Sequence, residues 1–327
     1  MIAVSTRVER WELVEPFVTA RDSLTHVPVL VLILTDSDGR QGWAEAAGVD
    51  YEGESPESMA AQVEAVKHAL HDRVSGEDLL GLLPPGGARN ALDCALWDLR
   101  AKQFGRPIWQ LAGLAPPRPV PTAYTIGLAS ESDVRRKARE ATGYPLLKLK
   151  VDSDRHIDLV RIVREVHPSA RILVDANQSW SRALLERLLP SLMELGVELV
   201  EQPVRRGADA SLDGLQSPVP LAADESCTDR GSLPGLVGRY QYANLKLDKC
   251  GGLTEALAMR DAARRLGLEL MVGNMCGTSL AMAPAFLVAQ SCRVADLDGP
   301  LLQRSDRQPP IRYEAGCMHP PEPALWG

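Results

Sequence analysis

Three acidic residues recur at similar intervals in the middle of the chain, and each one ends a short apolar run. They are Asp175 in RILVDAN, Glu201 in VELVEQP and Asp224 in PLAADES, at intervals of 26 and 23 residues. Carboxylate oxygens suit hard divalent cations, and Mg²⁺ keeps coordination positions open for substrate or water. Each acid could instead cap a helix that follows its strand. The regular interval across all three favours a shared magnesium site.

Lysines flank the three acids at the same interval. Lys148 and Lys150 stand two apart in LLKLKVD, so both side chains point to one face of a strand, and Lys246 follows in ANLKLD. Because the residues around Lys148 and Lys150 are apolar, burial and mutual repulsion are expected to lower the pKa values of this pair toward the range of a general base. A solvent-facing pair on an edge strand is the alternative. Lys249 is one position off this parity and is expected to point outward.

Two lysines on opposite sides of a cation site suggest a particular reaction. In a closed barrel of eight strands, the strands that carry Lys150 and Lys246 lie nearly opposite each other. The cation would hold a substrate carboxylate and stabilise the charge of an enediolate. One lysine would remove the α-proton and the other would return a proton to the opposite face, which produces the epimer. The residues leave open which lysine serves which enantiomer.

The order of elements predicts how these residues are positioned. Residues 1–117 predict an α+β domain, with strands over 2–14, 27–35 and 39–46 and helices over 56–71 and 88–104. Residues 118–303 alternate strand and helix patterns, which predicts an α/β fold: a modified (β/α)8 barrel of the TIM type, with functional groups at the carboxyl ends of its strands. Residues 304–327 are expected to return toward the first domain. The eight predicted barrel strands span 120–126, 146–151, 171–176, 197–202, 219–224, 242–247, 268–273 and 293–297.

Composition and charge exclude several other classes. The 327 residues are 45% hydrophobic and 24% charged, with a net charge of −7, so neither nucleic acid nor an anionic membrane is an expected partner. The apolar run at 27–34 is too short to span a bilayer, and the charged N-terminus is unlike a signal peptide. Six cysteines without a C-x-x-C pair predict reduced thiols and a cytoplasmic location. A homo-oligomer is possible, since large barrels commonly associate.

The motifs resemble those of the enolase superfamily, and within it the muconate-lactonizing subgroup. The similarity rests on LLKLKVD, VDANQSW, LVEQP, AADES and NLKLDKCGGLTEA, and it extends to GARNALDCALWDLRAK in the first domain. ADLDGP at 295–300 and the LKLDK run resemble the corresponding motifs of the dipeptide epimerases, in particular those acting on L-Ala-D/L-Glu. The resemblance implies a capped barrel, a bound Mg²⁺ ion, and 1,1-proton transfer at the C-terminal residue of a dipeptide from peptidoglycan turnover.

The resemblance also implies a role for each site residue. The metal ligands would be Asp175, Glu201 and Asp224, the acid–base pair Lys150 and Lys246, and Lys148 would orient or polarise the substrate carboxylate. The D-x-D carboxylates, Asp296 and Asp298, would bind the free α-ammonium, and their parity places both on one face. A solvated acidic turn before Gly299 is the alternative for this pair.

The first domain is expected to act as a lid over the barrel. Its loops at about 16–26 and 48–55 would close the barrel mouth. Arg21 is the candidate for binding the glutamate side-chain carboxylate, because a guanidinium fork matches a carboxylate; a solvated loop arginine is the alternative. Asn274, in VGNMCGTS, departs from the small or cysteine-like residue expected there, which leaves the preferred dipeptide open.

Two other functions compete with dipeptide epimerisation. An o-succinylbenzoate synthase or an N-succinylamino acid racemase would use the same scaffold. Their substrates have no free ammonium, which would leave Asp296 and Asp298 without a cationic partner. A metal-stabilised binding protein without turnover would keep the three carboxylates but would not need opposed lysines.

Overall fold

The computed structural model describes residues 2–19 and 23–327, and its first part is an antiparallel sheet backed by helices. The strands pair in the order β1-β2-β3. The elements are β1 (Ala3–Val18), β2 (Ser23–Thr35), β3 (Gln41–Ala46), α1 (Pro56–Val66), α2 (Gly76–Leu82), α3 (Gly87–Phe104) and α4 (Ile108–Leu111), with 3-10 turns at Asp50–Glu52 and Lys67–Ala69.

Strand β2 explains the apolar run VPVLVLIL, because both of its faces are covered. Leu30, Leu32 and Leu34 pack into the large core that includes residues of α3. Val27 and Val29 alternate with them and join a separate cluster on the other face, which includes Leu302 from the barrel end of the chain. A strand that is buried on both faces has a continuous apolar sequence, and not an alternation of apolar and polar residues. This strand therefore joins the first sheet to the rest of the molecule.

The second part is a parallel barrel. Eight strands hydrogen-bond in chain order from β5 to β12, and the Ala123 N–H donates to the Ala295 carbonyl at 2.8 Å, which joins the two ends. The predicted (β/α)8 fold class is thus confirmed. The short strand β4 (Val120–Pro121) precedes the barrel and belongs to another sheet. The eight barrel strands are β5 (Tyr124–Ile126), β6 (Leu146–Lys150), β7 (Arg171–Asp175), β8 (Val197–Glu201), β9 (Leu221–Ala223), β10 (Tyr242–Leu245), β11 (Glu269–Val272) and β12 (Val294–Ala295).

The barrel helices are incomplete at three positions. Strands β8, β9 and β12 are followed by 3-10 turns only, at Asp209–Leu212, Leu233–Leu236 and Gly299–Leu302. A further 3-10 turn, Ala141–Gly143, precedes β6. The α-helices are α5 (Glu131–Glu140), α6 (Ile157–Val166), α7 (Arg182–Glu194), α8 (Leu247–Cys250), α9 (Leu253–Arg265) and α10 (Ser279–Ala289).

The C-terminal segment contacts both parts of the molecule. Strands β13 (Tyr313–Glu314) and β14 (Cys317–Met318) form a hairpin, and β14 pairs with β4. The Trp326 indole N–H donates to the Cys94 carbonyl at 3.1 Å, and the Gly327 N–H donates to Asp98 at 2.7 Å. Both acceptors lie on α3.

Two details of the first part differ from the sequence prediction. Helix α2 was not predicted, and the helix expected over 56–71 ends as an α-helix at Val66 and continues as a 3-10 turn. Strands β1 and β2 extend much further than predicted, to Val18 and back to Ser23. Among the described residues, no helix has both the length and the apolar character needed to cross a membrane.

Candidate active site

Along the barrel strands, one layer of inward-facing side chains is apolar and the next layer, two residues further on, is mainly polar. An apolar layer closes the bottom of the barrel, with one residue at each strand: Ala123, Leu146, Leu173, Leu199, Ala222, Tyr242, Met271 and Val294. Residues two positions further on point to the same side. Those positions are occupied by Thr125, Lys148, Asp175, Glu201, Asp224, Asn244, Gly273 and Asp296. The polar residues therefore converge at the carboxyl ends of the strands.

Sheet register places three of the predicted site residues side by side. Lys150 pairs with Asp175, and Asp175 pairs with Glu201. Glu201 pairs with Ala222, so that Asp224 lies two residues beyond it on the same face. The three acids therefore come from three neighbouring strands.

Lys148 lies at the centre of the acidic group. Its Nζ atom is 3.1 Å from Asp175, 2.7 Å from Glu201 and 2.8 Å from Asp296. Lys150 contacts the same Asp175 oxygen at 2.6 Å. Both lysines are buried, so the alternative of a solvent-facing pair on an edge strand is wrong.

Two lysines hold Asp224, and one of them was not expected there. Lys246 Nζ lies 2.8 Å from Oδ2 of Asp224 and Lys249 Nζ lies 2.6 Å from Oδ1. Lys249 also donates to the carbonyls of Asp224 and Asn244. The prediction that Lys249 points outward is therefore wrong. The alternation of side chains along a strand does not extend to Lys249, because α8 begins at Leu247, directly after Lys246.

Room for Lys246 depends on a glycine of the next strand. A Cβ atom at Gly273 would lie 2.9 Å from Cε of Lys246 and 3.0 Å from the Asn244 side chain. Asn244 in turn donates to Oε1 of Glu201 at 2.9 Å. The Asn244 amide was missed by sequence reasoning, although its position two residues before Lys246 places it on the inward face.

The acids and lysines shift each other's pKa values. Burial, followed by the charge of Asp175, raises the pKa of Glu201 to about 7. Burial alone would also raise the pKa of Asp175 and of Asp224, but neighbouring ammonium groups, Lys150 first for Asp175 and Lys246 first for Asp224, hold both pKa values below their usual range.

The pKa of Lys148 changes in the direction opposite to the expectation from sequence, and that of Lys246 changes in the same direction as that of Lys148. Burial lowers them, but the carboxylates around Lys148, and Asp224 beside Lys246, outweigh burial and raise the pKa of both lysines above the usual value. The expected shift toward neutrality is therefore wrong for Lys148. The reason is that each ammonium is directly paired with carboxylates, which favour its charged form.

The donor chemistry of the acidic group fits a hard cation. Throughout the described ranges, no three acidic, histidine or cysteine side chains converge as a ready-made metal shell, because lysine ammonium groups lie between the carboxylates. Yet within the described residues Oε2 of Glu201 is buried without a hydrogen bond of good geometry, and the buried Asn177 Oδ1 has no partner. Three strand-end carboxylates, one of them with an unsatisfied oxygen, suit Mg²⁺, which would take the place of the lysine ammonium groups beside them.

The D-x-D acids lie at the edge of the same group. Asp298 accepts a hydrogen bond from the Thr125 N–H at 2.6 Å, and Asp296 accepts one from the Thr125 hydroxyl at 3.3 Å. Their exposed fractions are only 2% and 4%, so a solvated acidic turn is wrong. Burial, followed by the charge of Asp296, raises the pKa of Asp298 to about 7.

A cavity of about 270 Å³ connects these groups with the first domain. Its floor includes the three lysines at 148, 150 and 246 and both D-x-D acids. Its upper wall comes from the β1–β2 hairpin and the segment after β3, through Phe17, Thr19, Leu24, Val27, Pro28, Ala47, Gly48, Asp50, Glu54 and Ser55. The predicted loop at 16–26 is largely strand, because β1 and β2 extend toward the barrel. Arg21 lies outside the described residues.

An eight-stranded parallel barrel with acids and lysines at its carboxyl end, covered by a separate sheet, defines a capped barrel enzyme. Residues 133–324 match the family model described as enolase C-terminal domain-like. Residues 1–113 match the N-terminal domain of the mandelate racemase and muconate lactonizing enzymes. The chain therefore belongs to the enolase superfamily, which confirms the resemblance seen in the sequence.

Two relatives of known activity align over most of the chain. The L-Ala-D/L-Glu epimerase of Escherichia coli (strain K12) is 39% identical over 321 residues, which cover 98% of this chain and 100% of that protein. The N-acetyl-D-glutamate racemase of a Pseudoalteromonas species is 38% identical over 301 residues, which cover 91% of this chain and 95% of that protein. Both relatives are named for inversion at an amino-acid centre.

Solved structures of dipeptide epimerases and of a homologous protein also superpose on this chain. An enolase family member from Agrobacterium tumefaciens with homology to dipeptide epimerases, with bound sodium and L-Ala-L-Glu, superposes with a TM-score of 0.96 at 42% identity and covers 100% of both chains. The Methylococcus capsulatus dipeptide epimerase, complexed with Mg and L-Arg-D-Lys, gives a TM-score of 0.89 at 30% identity, covering 99% of this chain and 98% of that one.

Proposed function

We propose that this protein is a magnesium-dependent dipeptide epimerase. It transfers a proton at the α-carbon of the C-terminal residue of a dipeptide such as L-Ala-D/L-Glu. The single observation that carries the proposal is the placement of Lys150 and Lys246. They come from the second and sixth of eight barrel strands, and both line one cavity with the acids between them.

The chain's own residues divide the work. A planar enediolate has its carboxylate, nitrogen and side chain in one plane, so protons are lost and gained above and below that plane. Lys150 and Lys246 occupy these two sides, one as base and the other as acid. Lys148 orients the substrate carboxylate. Asp175, Glu201 and Asp224 would hold Mg²⁺, which supplies positive charge for that carboxylate and for the enediolate.

The charges of the site support this assignment. Five buried carboxylates (Asp175, Glu201, Asp224, Asp296, Asp298) face four buried ammonium groups (Lys148, Lys150, Lys246, Lys249). With all nine groups ionised, the barrel mouth has one excess negative charge. A divalent cation would turn this excess into a net charge of +1 at the barrel mouth, which favours an anionic ligand such as L-Ala-L-Glu. Carboxylates that share their charge with a cation also stabilise the lysine ammonium groups less, which favours a neutral lysine base.

The buried D-x-D pair distinguishes dipeptides from N-acyl amino acids. We infer that Asp296 and Asp298 bind the free α-ammonium, because buried carboxylates are costly unless a cation pairs with them. The similarity to an N-acetyl-D-glutamate racemase makes N-acylglutamate racemisation the second candidate. Asp296 already pairs with Lys148 at 2.8 Å, but Asp298 has no ion pair among the described residues. The N-acyl ligand offers Asp298 no cation, so it is the less favoured substrate. o-Succinylbenzoate synthesis has the same disadvantage.

Substrate selection is proposed to depend on the first domain. Residues 1–117 would cap the barrel of residues 118–303, and the contacts of residues 304–327 with α3 support a tie between the two. We keep Arg21 as the candidate partner of the glutamate side-chain carboxylate. Within the described part of the chain, the cavity lining includes no arginine. A dipeptide source in peptidoglycan turnover, a cytoplasmic location and a homo-oligomer are further parts of this proposal.

The test is an epimerisation assay on L-Ala-L-Glu. With Mg²⁺ present, chiral chromatography is expected to detect L-Ala-D-Glu, and N-acetyl-L-glutamate is expected to react more slowly. Inversion of N-acetyl-L-glutamate but not of the dipeptide would replace the proposal with the second candidate. No inversion of any member of a dipeptide library, with Mg²⁺ present, would favour a binding protein.

A further inference from the structure

Asn274 connects the cavity wall to the D-x-D segment. It follows β11 in the segment VGNMCGTS and is only partly buried, and its side chain lines the cavity. Its Nδ2 atom donates to the carbonyl of Asp296 at 2.6 Å. Its Oδ1 atom accepts the N–H of Cys276 at 2.7 Å. One amide group therefore fixes both a turn of the cavity wall and the backbone of an acid in the proposed ammonium site.

The D-x-D backbone needs such support because regular strand structure ends there. Strand β12 is only Val294–Ala295. Beyond it, the Asp296 N–H still donates to the Val272 carbonyl at 2.8 Å, but no backbone N–H of the described strands donates to the Asp296 carbonyl. Asn274 supplies the donor for it. A shift of this carbonyl would rotate the peptide unit that joins Asp296 to Leu297 and change the aim of both acids.

The turn held by Asn274 is itself restrained and closely packed. Cys276 has a φ of 64°, a left-handed conformation that costs energy for a residue with a Cβ atom. A Cβ atom at Gly299, directly after the D-x-D segment, would lie 2.8 Å from the Gly277 carbonyl and 3.1 Å from Oδ1 of Asn274. The turn and the acidic segment therefore touch, and Asn274 lies at their contact.

We propose that Asn274 is a positioning residue for ammonium recognition, which holds Asp296 and Asp298 in the geometry that selects a free α-amino group. The proposal rests on the proposed function of the acidic pair. It assigns a role to the position where the sequence departs from its family pattern. A residue that only stabilises the fold would affect all ligands alike, whereas Asn274 should affect only ligands that carry the ammonium.

The experiment compares two ligands that differ only in that group, L-Ala-L-Glu and N-propionyl-L-glutamate, by calorimetric binding with Mg²⁺ present. N274A is expected to weaken dipeptide binding about tenfold and to change propionylglutamate binding less than about twofold. Q290A is the matched control, because the Gln290 amide also bridges two backbone groups, the N–H and carbonyl of Arg118 at 2.9 and 3.0 Å, and lies outside the cavity. It should change neither ligand's affinity.

Equal weakening of both ligands by N274A, or no weakening of either, overturns the proposal, as does a wild-type protein that binds neither ligand. Calorimetric affinity is read at equilibrium, whether or not the dipeptide is epimerised, so the inference is judged separately from the epimerase assignment. A wild-type protein that binds both ligands but inverts neither would refute the epimerase function, while the N274A ratio would still decide the role of Asn274. Melting temperatures of the variants verify that both are folded.

Discussion

The barrel mouth and the wall of the first domain enclose one cavity but differ in how they are built. The barrel mouth consists of buried charged groups fixed by sheet register, with Lys150, Asp175 and Glu201 on adjacent paired positions. The opposite wall is mainly apolar and comes from a hairpin and a connecting segment, with side chains such as Phe17 and Leu24. Under the proposed function, the first region would perform proton transfer, whereas the second would select among the substrates that the first accepts.

The largest effect is expected from substitutions of the proposed metal ligands, which belong to the barrel mouth and not to the wall of the first domain. D175N or E201Q should lower epimerase activity at least about 10³-fold and weaken Mg²⁺ binding, because each loses a charged oxygen donor. Calorimetric titration with Mg²⁺ measures the second effect without turnover. D152N, in the loop after β6, is the control and should behave like wild type. Activity that survives both D175N and chelation would contradict the metal role of the barrel mouth.

The acidic pair should have a smaller and ligand-dependent effect. D298N removes a charge from the proposed ammonium site, and we expect a loss of about 10- to 100-fold in kcat/KM for L-Ala-L-Glu. N-Acetyl-L-glutamate, which has no ammonium, should lose no more than a few-fold. Steady-state kinetics on both compounds measures the ratio. An equal loss of kcat/KM for both compounds would mean that Asp298 supports the structure of the barrel mouth and does not bind the substrate ammonium.

The joint between the two regions should respond to pH. Asp248 accepts the Gly48 N–H at 2.9 Å, and burial raises its pKa from 3.8 to about 7. The folded state therefore binds this proton more tightly than the unfolded chain, and the free energy of unfolding falls as pH rises from about 4 to about 7. This one group contributes a decrease of about 2–4 kcal/mol.

D248N keeps an oxygen acceptor but cannot ionise, so it should remove that decrease. We expect the melting temperature to fall less between pH 5 and pH 8 for D248N than for wild type. Identical decreases would show that Asp248 does not carry the pH dependence of the joint.

The smallest effect is expected at the apolar wall. L24A shortens an apolar side chain that lines the cavity. It should raise KM a few-fold with little change in kcat, since it alters ground-state and transition-state binding alike. V8A, on the exposed part of β1, is the control. A large decrease in kcat from L24A would show that the wall takes part in chemistry and would end the division between the two regions.

The barrel mouth was more predictable from sequence than the wall, for a physical reason. Strand parity and the repeat interval place Lys148, Asp175 and Asp224 inward, because parallel strands in register carry their ends to one edge. Parity failed at Lys249, where a short helix begins directly after Lys246. The link from Asn274 to Asp296 could not be predicted, because it joins an irregular turn to a strand end.

The first domain was predicted in outline only. Strand β1 is largely exposed, so its charged residues conceal the alternation that identifies a half-buried strand. The last residues of β1, which approach the barrel, were therefore predicted to be a loop. Helix α2 is only Gly76–Leu82, too short for its periodicity to stand out. The contacts that form the cavity wall join residues far apart in the chain, which local patterns do not record.

The most direct test of the central claim is α-hydrogen exchange in deuterated water, followed by mass spectrometry and NMR, with K150M and K246M supplied separately with L-Ala-L-Glu and L-Ala-D-Glu. If the lysines face opposite sides of the α-carbon, each variant should lose epimerisation yet keep exchange with one epimer only, and the two variants should keep opposite epimers. Deuterium should enter only at the C-terminal residue. Both variants exchanging the same epimer, or label at the N-terminal residue, would contradict the account.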